Sequence, residues 1–120
     1  HIYFLGYRND ISEICNCADL FVFMSHQEGL PVALMEAMAC GLPAICSNIR
    51  GNTDLIEDGV CGLIVASTAE DVAVAVMQMW ENPEMRYGMA TAALSAVKKF
   101  DLISVEMKMK EIYESVEVQG

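Results

Sequence analysis

Apolar positions fall into short continuous runs separated by stretches of helical period. Ile2-Tyr-Phe-Leu5 is a β-type run closed by Gly6. Ile11, Ile14, Cys15 and Ala18 recur at helical spacing and predict a short helix over 10–18. Leu20-Phe-Val-Phe-Met24 is apolar throughout, rich in β-formers and too short for an ordinary helix, which predicts a buried parallel strand. Pro31 to Cys40 predicts a helix: Pro suits the first position, Ala, Leu and Met follow, and Gly41 caps the end. Pro43-Ala-Ile-Cys46 and Gly62-Leu-Ile-Val65 predict two more short strands. Between them, 53–57 predicts one helical turn capped by Asn52 or Thr53 and ended by Gly59. Ser67-Thr-Ala-Glu70 spells a capping box for a helix to Glu81. Asn82-Pro83 restarts a helix to about Lys99, and Asp101 can cap a last one to about Glu117, with Leu102, Val105, Met109, Ile112 and Val116 on one side.

The predicted order is β-α-β-α-β-α-β followed by three helices. Buried strands alternating with helices argue for an α/β fold: a parallel sheet of about four short strands, with helices on both faces. Ligands of such sheets sit beyond the C-terminal ends of the strands. The loops to inspect are therefore 6–10, 25–30, 47–52 and 66–68.

Composition sharpens this picture. The 120 residues are 54% hydrophobic and 20% charged, with 7 basic against 17 acidic side chains, a net charge of −10 and a mean hydropathy of +0.34. One domain fits this length. Disordered chains are charge-rich and apolar-poor, so disorder is excluded. Nucleic-acid binding by bulk charge calls for a basic surface and is excluded too. So many apolar residues must be buried, inside this chain or against something else. Five cysteines and no leader segment fit a reduced, cytoplasmic setting, with the thiols acting as small buried hydrophobes. Cys15 and Cys17 form a C-x-C pair, but no second pair completes a zinc site, and no metal is expected. No apolar run reaches the roughly 18 residues of a membrane span. A chain that begins at His1 and enters a strand at once is expected to be a piece of something longer.

The second loop and its helix carry the chemistry. Ser25-His-Gln-Glu-Gly-Leu-Pro31 leaves a strand and enters an almost wholly apolar helix holding one charge, Glu36. An all-apolar helix is expected to be buried, and a carboxylate in it is costly unless hydrogen-bonded. Glu36 therefore bonds a neighbour, points to solvent, or meets a ligand. With Pro31 at the first helical position, Leu30 becomes a cap that cannot accept, and the amides of Val32, Ala33 and Leu34 lack a side-chain partner. Such amides make an anion site, for which water competes with phosphate. The axial rise from Pro31 to Glu36 is roughly 7–8 Å, which one phosphorylated polyol could span. Arg8 and Arg50 are the only Lys or Arg before position 86, too few to neutralise a phosphate beside two carboxylates.

Glu28-Gly-Leu-Pro-Val-Ala-Leu-Met-Glu36, followed by Ala37-Met-Ala-Cys-Gly-Leu-Pro43, closely resembles the E-x7-E segment of family 4 retaining glycosyltransferases of the GT-B fold. Phe4-Leu-Gly6, Ala18-Asp19, Ser25, Gly51-Asn52 and Glu57-Asp-Gly-Val-Cys-Gly-Leu-Ile-Val65 match at the usual spacing. The resemblance covers nearly the whole chain. It implies the C-terminal part of a Rossmann-like nucleotide-sugar-binding domain over 1–120, with the first strands and the N-terminal acceptor domain absent. By similarity, Glu28 contacts donor-sugar hydroxyls and is the catalytic-site residue, and Glu36 holds the ribose hydroxyls. The backbone around Gly29, Leu30, Pro31 and Val32 lies against sugar and diphosphate. The donor is a UDP- or GDP-sugar. No cofactor or metal is implied, and the sequence has no D-x-D. The acceptor, a glycan or lipid-linked sugar, meets the absent domain, and the full-length enzyme is compatible with membrane association. Transfer retains anomeric configuration, and this chain alone is expected to be inactive and at risk of self-association.

Arg50 is a candidate phosphate contact from the 47–52 loop, with a solvated loop Arg as the alternative reading. His26 has no visible orienting partner. The competing functional reading is a non-catalytic α/β module for nucleotide-sugar sensing or protein contacts, because fold does not fix function.

Overall fold

The computed structural model describes residues 1–100 and, beyond them, Lys110 and Glu114. The elements in chain order are α1 (Ile11–Asn16), β1 (Phe21–Phe23), α2 (Val32–Ala39), β2 (Ala44–Ser47), α3 (Arg50–Thr53), β3 (Gly62–Val65), α4 (Ala69–Glu81) and α5 (Pro83–Val97). A 3-10 turn, Lys98–Phe100, follows. The helix expected over 101–117, and Met109 with it, lies outside the described residues apart from Lys110 and Glu114.

The strands form one parallel sheet in the order β1-β2-β3, with Phe21 beside Ala44 and Ala44 beside Gly62. β2 is central and buried at all four residues. Side chains alternate between the faces of a strand. Ala44 and Cys46 accordingly meet Leu34, Met35 and Met38 of α2 and Ala93 of α5, with Leu55, Ile56 and Cys61 closing that core. Ile45 faces the other way, onto Ala75 and Met79 of α4 and Met89 of α5. Helices cover both faces, as expected. A Cβ on Gly62 would lie 2.6 Å from the Ala44 carbonyl oxygen, so only glycine fits at the start of β3.

The expected fourth strand is absent. Residues 2–5 belong to no strand, and Ile2, Tyr3, Phe4 and Leu5 are 85%, 78%, 96% and 54% exposed. β-propensity reflects fit to a pleated, half-buried surface, and no strand among the described residues pairs with this run. The one-turn helix falls earlier than expected, on Arg50–Thr53 in place of 53–57, and Ile49 precedes it without any side-chain cap. The capping box of α4 is shifted by one residue. Thr68 Oγ1 accepts from the Asp71 amide at 3.1 Å and donates to Asp71 Oδ2 at 2.6 Å, so Thr68 takes the cap role expected of Ser67. Asn82 caps α5 by accepting from the Met85 amide at 3.0 Å.

Cys15, Cys46 and Cys61 are buried as small hydrophobes, whereas Cys17 is exposed. Burial, with Cys61 and Asp58 nearby, pushes the Cys46 thiol up to about 12. Among the described residues no helix is long and apolar enough to cross a membrane.

Candidate functional site

Because the three strands are parallel, their C-terminal ends share one edge. β1 delivers Ser25 there, β2 delivers Ser47, and the chain reaches α2 through Glu28 to Pro31. α2 is docked by Leu34 and Met38, both 0% exposed, and by Met35 and Ala37. Burying a Leu-sized side chain contributes about 1.5–3 kcal/mol. This packing, with no side-chain cap, holds the helix in place.

The helix starts one residue later than expected. Pro31 is the cap residue, buried, with φ −80° and ψ 82°. The Val32 amide donates to the Leu30 carbonyl at 2.9 Å, so it is not free. The amides of Ala33 and Leu34 have no acceptor among the described residues. They carry the positive end of the helix dipole without an anion to meet it.

α2 is not buried all round, which corrects the expectation from its composition. Val32, Ala33, Glu36 and Ala39 are exposed, along with Gly29 and His26. They recur at helical spacing, so one side of α2 faces outward with Glu36 near its middle. Glu36 has no side-chain partner among the described residues, and its carboxylate is available to a ligand. Glu28 is half-buried, and its Oε1 accepts from Ser25 Oγ at 2.9 Å. Glu28 and Glu36 thus flank the uncapped first turn.

The loop carrying Glu28 is clamped from beneath by β2 and α3. Ser47 Oγ donates to the Ser25 carbonyl. Asn52 Nδ2 donates to the Ser47 carbonyl at 3.0 Å and to Ser47 Oγ at 3.2 Å. Asn52 is 0% exposed and caps nothing, contrary to expectation. Its Oδ1 has no partner among the described residues. A buried orphan acceptor of this kind costs about 1–3 kcal/mol. Gly51 sits directly under the loop, where a Cβ would lie 2.5 Å from the Glu28 carbonyl oxygen.

Reading the residues one by one missed Ser25, Ser47, Gly51 and Asn52 as site-building groups. Ser47 carried a signal, because it extends the strand expected to end at Cys46 and places a hydroxyl in a fully buried run. Arg50 is exposed at the first residue of α3 and forms no ion pair among the described residues. Arg8 is occupied: its Nε and one terminal nitrogen donate to Asp10 at 2.8 and 2.6 Å. Asp10 in turn holds the Arg8 pKa above its usual value, and the Arg8 hydrogen bond holds Asp10 below the usual carboxylate value. A groove of about 720 Å³ lies between 53–61 and α5, and neither Glu28 nor Glu36 lines it. The candidate site is an open surface along the strand ends.

Residues 1–95 match the family described as Glycosyl transferases group 1. The chain is 32% identical over 110 residues to the UDP-Gal:alpha-D-GlcNAc-diphosphoundecaprenol alpha-1,3-galactosyltransferase of Escherichia coli, covering 91% of this chain and 28% of that protein. It is 28% identical over 116 residues to the N,N'-diacetylbacillosaminyl-diphospho-undecaprenol alpha-1,3-N-acetylgalactosaminyltransferase of Campylobacter jejuni, covering 96% of this chain and 31% of that one. The chain therefore spans less than a third of the length of these relatives. Its fold superposes on Anabaena Alr3699/HepE, solved in complex with UDP and glucose, with a TM-score of 0.84 and 27% identity over 94% of this chain and 32% of that one. The parallel sheet, its two helical layers and these matches place the fold among GT-B glycosyltransferase structures. With most of its length inside the family match, this chain belongs to the group 1 glycosyl transferases.

Proposed function

We propose that this chain is the C-terminal part of the donor-binding domain of a retaining, family 4-type glycosyltransferase. The enzyme moves a sugar from a nucleotide-sugar to a polysaccharide or glycolipid acceptor. The observation that carries this reading is the uncapped first turn of α2, with an unpaired amide on exposed Ala33 and carboxylates at Glu28 before it and Glu36 after it in the chain. The Ala33 amide and the positive end of the α2 dipole suit a diphosphate. Carboxylates accept hydrogen bonds from sugar hydroxyls. Glu28 takes the hydroxyls of the transferred sugar, Glu36 those of the ribose, and the backbone from Gly29 to Val32 lies along the diphosphate. Two features of known proteins support this assignment: the HepE structure is a complex with UDP and glucose, and the Escherichia coli relative is named for a UDP-Gal donor and a diphosphoundecaprenol-linked acceptor.

In the proposed reaction, the bond between the anomeric carbon and the β-phosphate oxygen breaks. The acceptor oxygen attacks from the same face, and its proton passes to the departing phosphate. The protein's part is to hold the donor and to stabilise the charge growing on that phosphate. The α2 dipole and Arg50 serve this purpose here. They are few for a diphosphate between two carboxylates, so the chain by itself binds donor weakly and transfers little.

Titration of the ¹⁵N-labelled chain with UDP, UDP-glucose and GDP tests the site. Shifts concentrated at residues 29–36 are expected. A response spread over α4 and α5, or none at millimolar nucleotide, would overturn the assignment. Retention is read from the anomeric coupling constant of the product made by the full-length enzyme, and an inverted product would sink it.

A further inference from the structure

Glu28 sits on a loop with no regular secondary structure, yet a continuous hydrogen-bonded chain ties it to the buried interior. Ser25 Oγ donates to Glu28 Oε1 at 2.9 Å. The Ser25 carbonyl accepts from Ser47 Oγ. Ser47 accepts from Asn52 Nδ2 at both its carbonyl, 3.0 Å, and its hydroxyl, 3.2 Å. Asn52 is itself fixed, because its carbonyl accepts the Ile56 amide at 2.8 Å and its own amide donates to Ile49 at 3.1 Å. Accepting from Asn52 leaves Ser47 Oγ its proton for Ser25, so the relay has one direction, from Asn52 outward. Gly51 completes the arrangement by letting α3 touch the Glu28 carbonyl.

We propose that Asn52, acting through Ser47 and Ser25, is the positioning residue for Glu28, and that this relay makes the site favour a sugar-bearing nucleotide over the bare nucleoside diphosphate. This deepens the donor-site reading and rests on it for the second half. Asn52 touches neither sugar nor phosphate. It orders the loop so that the Glu28 carboxylate meets the sugar already oriented. Glu36 and the α2 amides, on a separate element, are independent of the relay and continue to hold the nucleotide.

The experiment uses Asn52→Ala, Ser47→Ala, Ser25→Ala and Ser25→Thr in the 120-residue chain, with UDP and UDP-glucose as probes. In Asn52→Ala and Ser47→Ala, backbone order parameters at residues 27–29 should fall from rigid values to below about 0.6 without ligand. UDP-glucose affinity should drop about tenfold, the scale of one hydrogen bond to a charged group, with UDP affinity changed less than about twofold. Ser25→Ala should lose the same preference, and Ser25→Thr, which keeps the hydroxyl, should restore it. Unchanged order parameters in Ser47→Ala overturn the relay, and so does equal loss of both ligands. If Asn52→Ala does not fold, Ser47→Ala carries the same test. Order parameters that fall as expected, in a chain whose wild type treats UDP and UDP-glucose alike, would uphold the positioning and refute the donor assignment of Glu28.

Discussion

The helices of this chain do not all start in the same way. α4 and α5 begin with side-chain caps, Thr68 on the Asp71 amide and Asn82 on the Met85 amide. α2 begins at a buried proline with no cap, and the amides of Ala33 and Leu34 have no acceptor among the described residues. Capping contributes about 1 kcal/mol per helix, so a sequence that omits it at α2 has given up stability that it keeps elsewhere. The omission falls on the loop between β1 and α2, at the C-terminal edge of the strands; Thr68 caps α4 on that same edge, after β3, and Asn82 caps α5 at the joint between two helices. At α2 an anion can take the place of the missing cap, a substitute that α4 and α5 do not need.

The contrast can be broken or sharpened by substitution. If α2 depends on packing, Leu34→Ala should have the largest effect, about 2–5 kcal/mol by denaturant unfolding, because its side chain is fully buried. Gly51→Ala should follow at about 1–3 kcal/mol, since the new methyl meets backbone and not a flexible side chain. It should also displace the Glu28 loop and abolish the preference for UDP-glucose, which the titration above would read. Thr68→Ala and Asn82→Ala should each cost about 1 kcal/mol and leave nucleotide binding untouched. Loss of UDP binding in either would erase the distinction between the two kinds of helix start.

Glu36→Ala should change stability by no more than about 0.5 kcal/mol, as expected of an exposed side chain without a described partner. Its UDP affinity should nevertheless fall at least about tenfold. An unfolded Glu36→Ala would make the residue structural.

The smallest effect belongs to a third kind of start, that of α1. There Asp10 stands at the cap position, makes no side-chain cap bond, and pairs with Arg8 instead. Its folded pKa is depressed, so the pair contributes above the unfolded carboxylate value, near 3.8, and the contribution fades as pH falls through the folded value. Asp10→Asn should therefore lose this small contribution at neutral pH and match the unsubstituted chain in acid, which flattens the acid limb of the stability profile.

The sequence showed α2 and the central strand to within a residue at each end, and put Glu28 before and Glu36 within that helix, because each is local. Gly62–Val65 was read to the residue, since a continuous apolar run between two turns leaves little choice. Ile2–Leu5 had the same composition and failed, because pairing needs a partner strand that composition does not reveal. Asn52 was read as a cap from its neighbours in the chain, while its actual partner, Ser47, lies five residues back on a strand. The exposed side of α2 was hidden for a related reason: Val32, Ala33 and Ala39 look like core residues until the direction of the sheet is known. Nonlocal contacts decided all three.

α5 touches both faces of the sheet, giving Ala93 to the core around α2 and Met89 to the core around α4. A single rod that braces two layers makes their opening one event. Amide exchange at β2 should therefore be governed by global unfolding and not by separate release of either layer. Loosening α5 at Met89, which packs with Ile45, Ala75 and Met79, should raise exchange at α2 as much as at α4. The first turn of α2 would then inherit its rigidity from a helix at the far end of the chain's described fold.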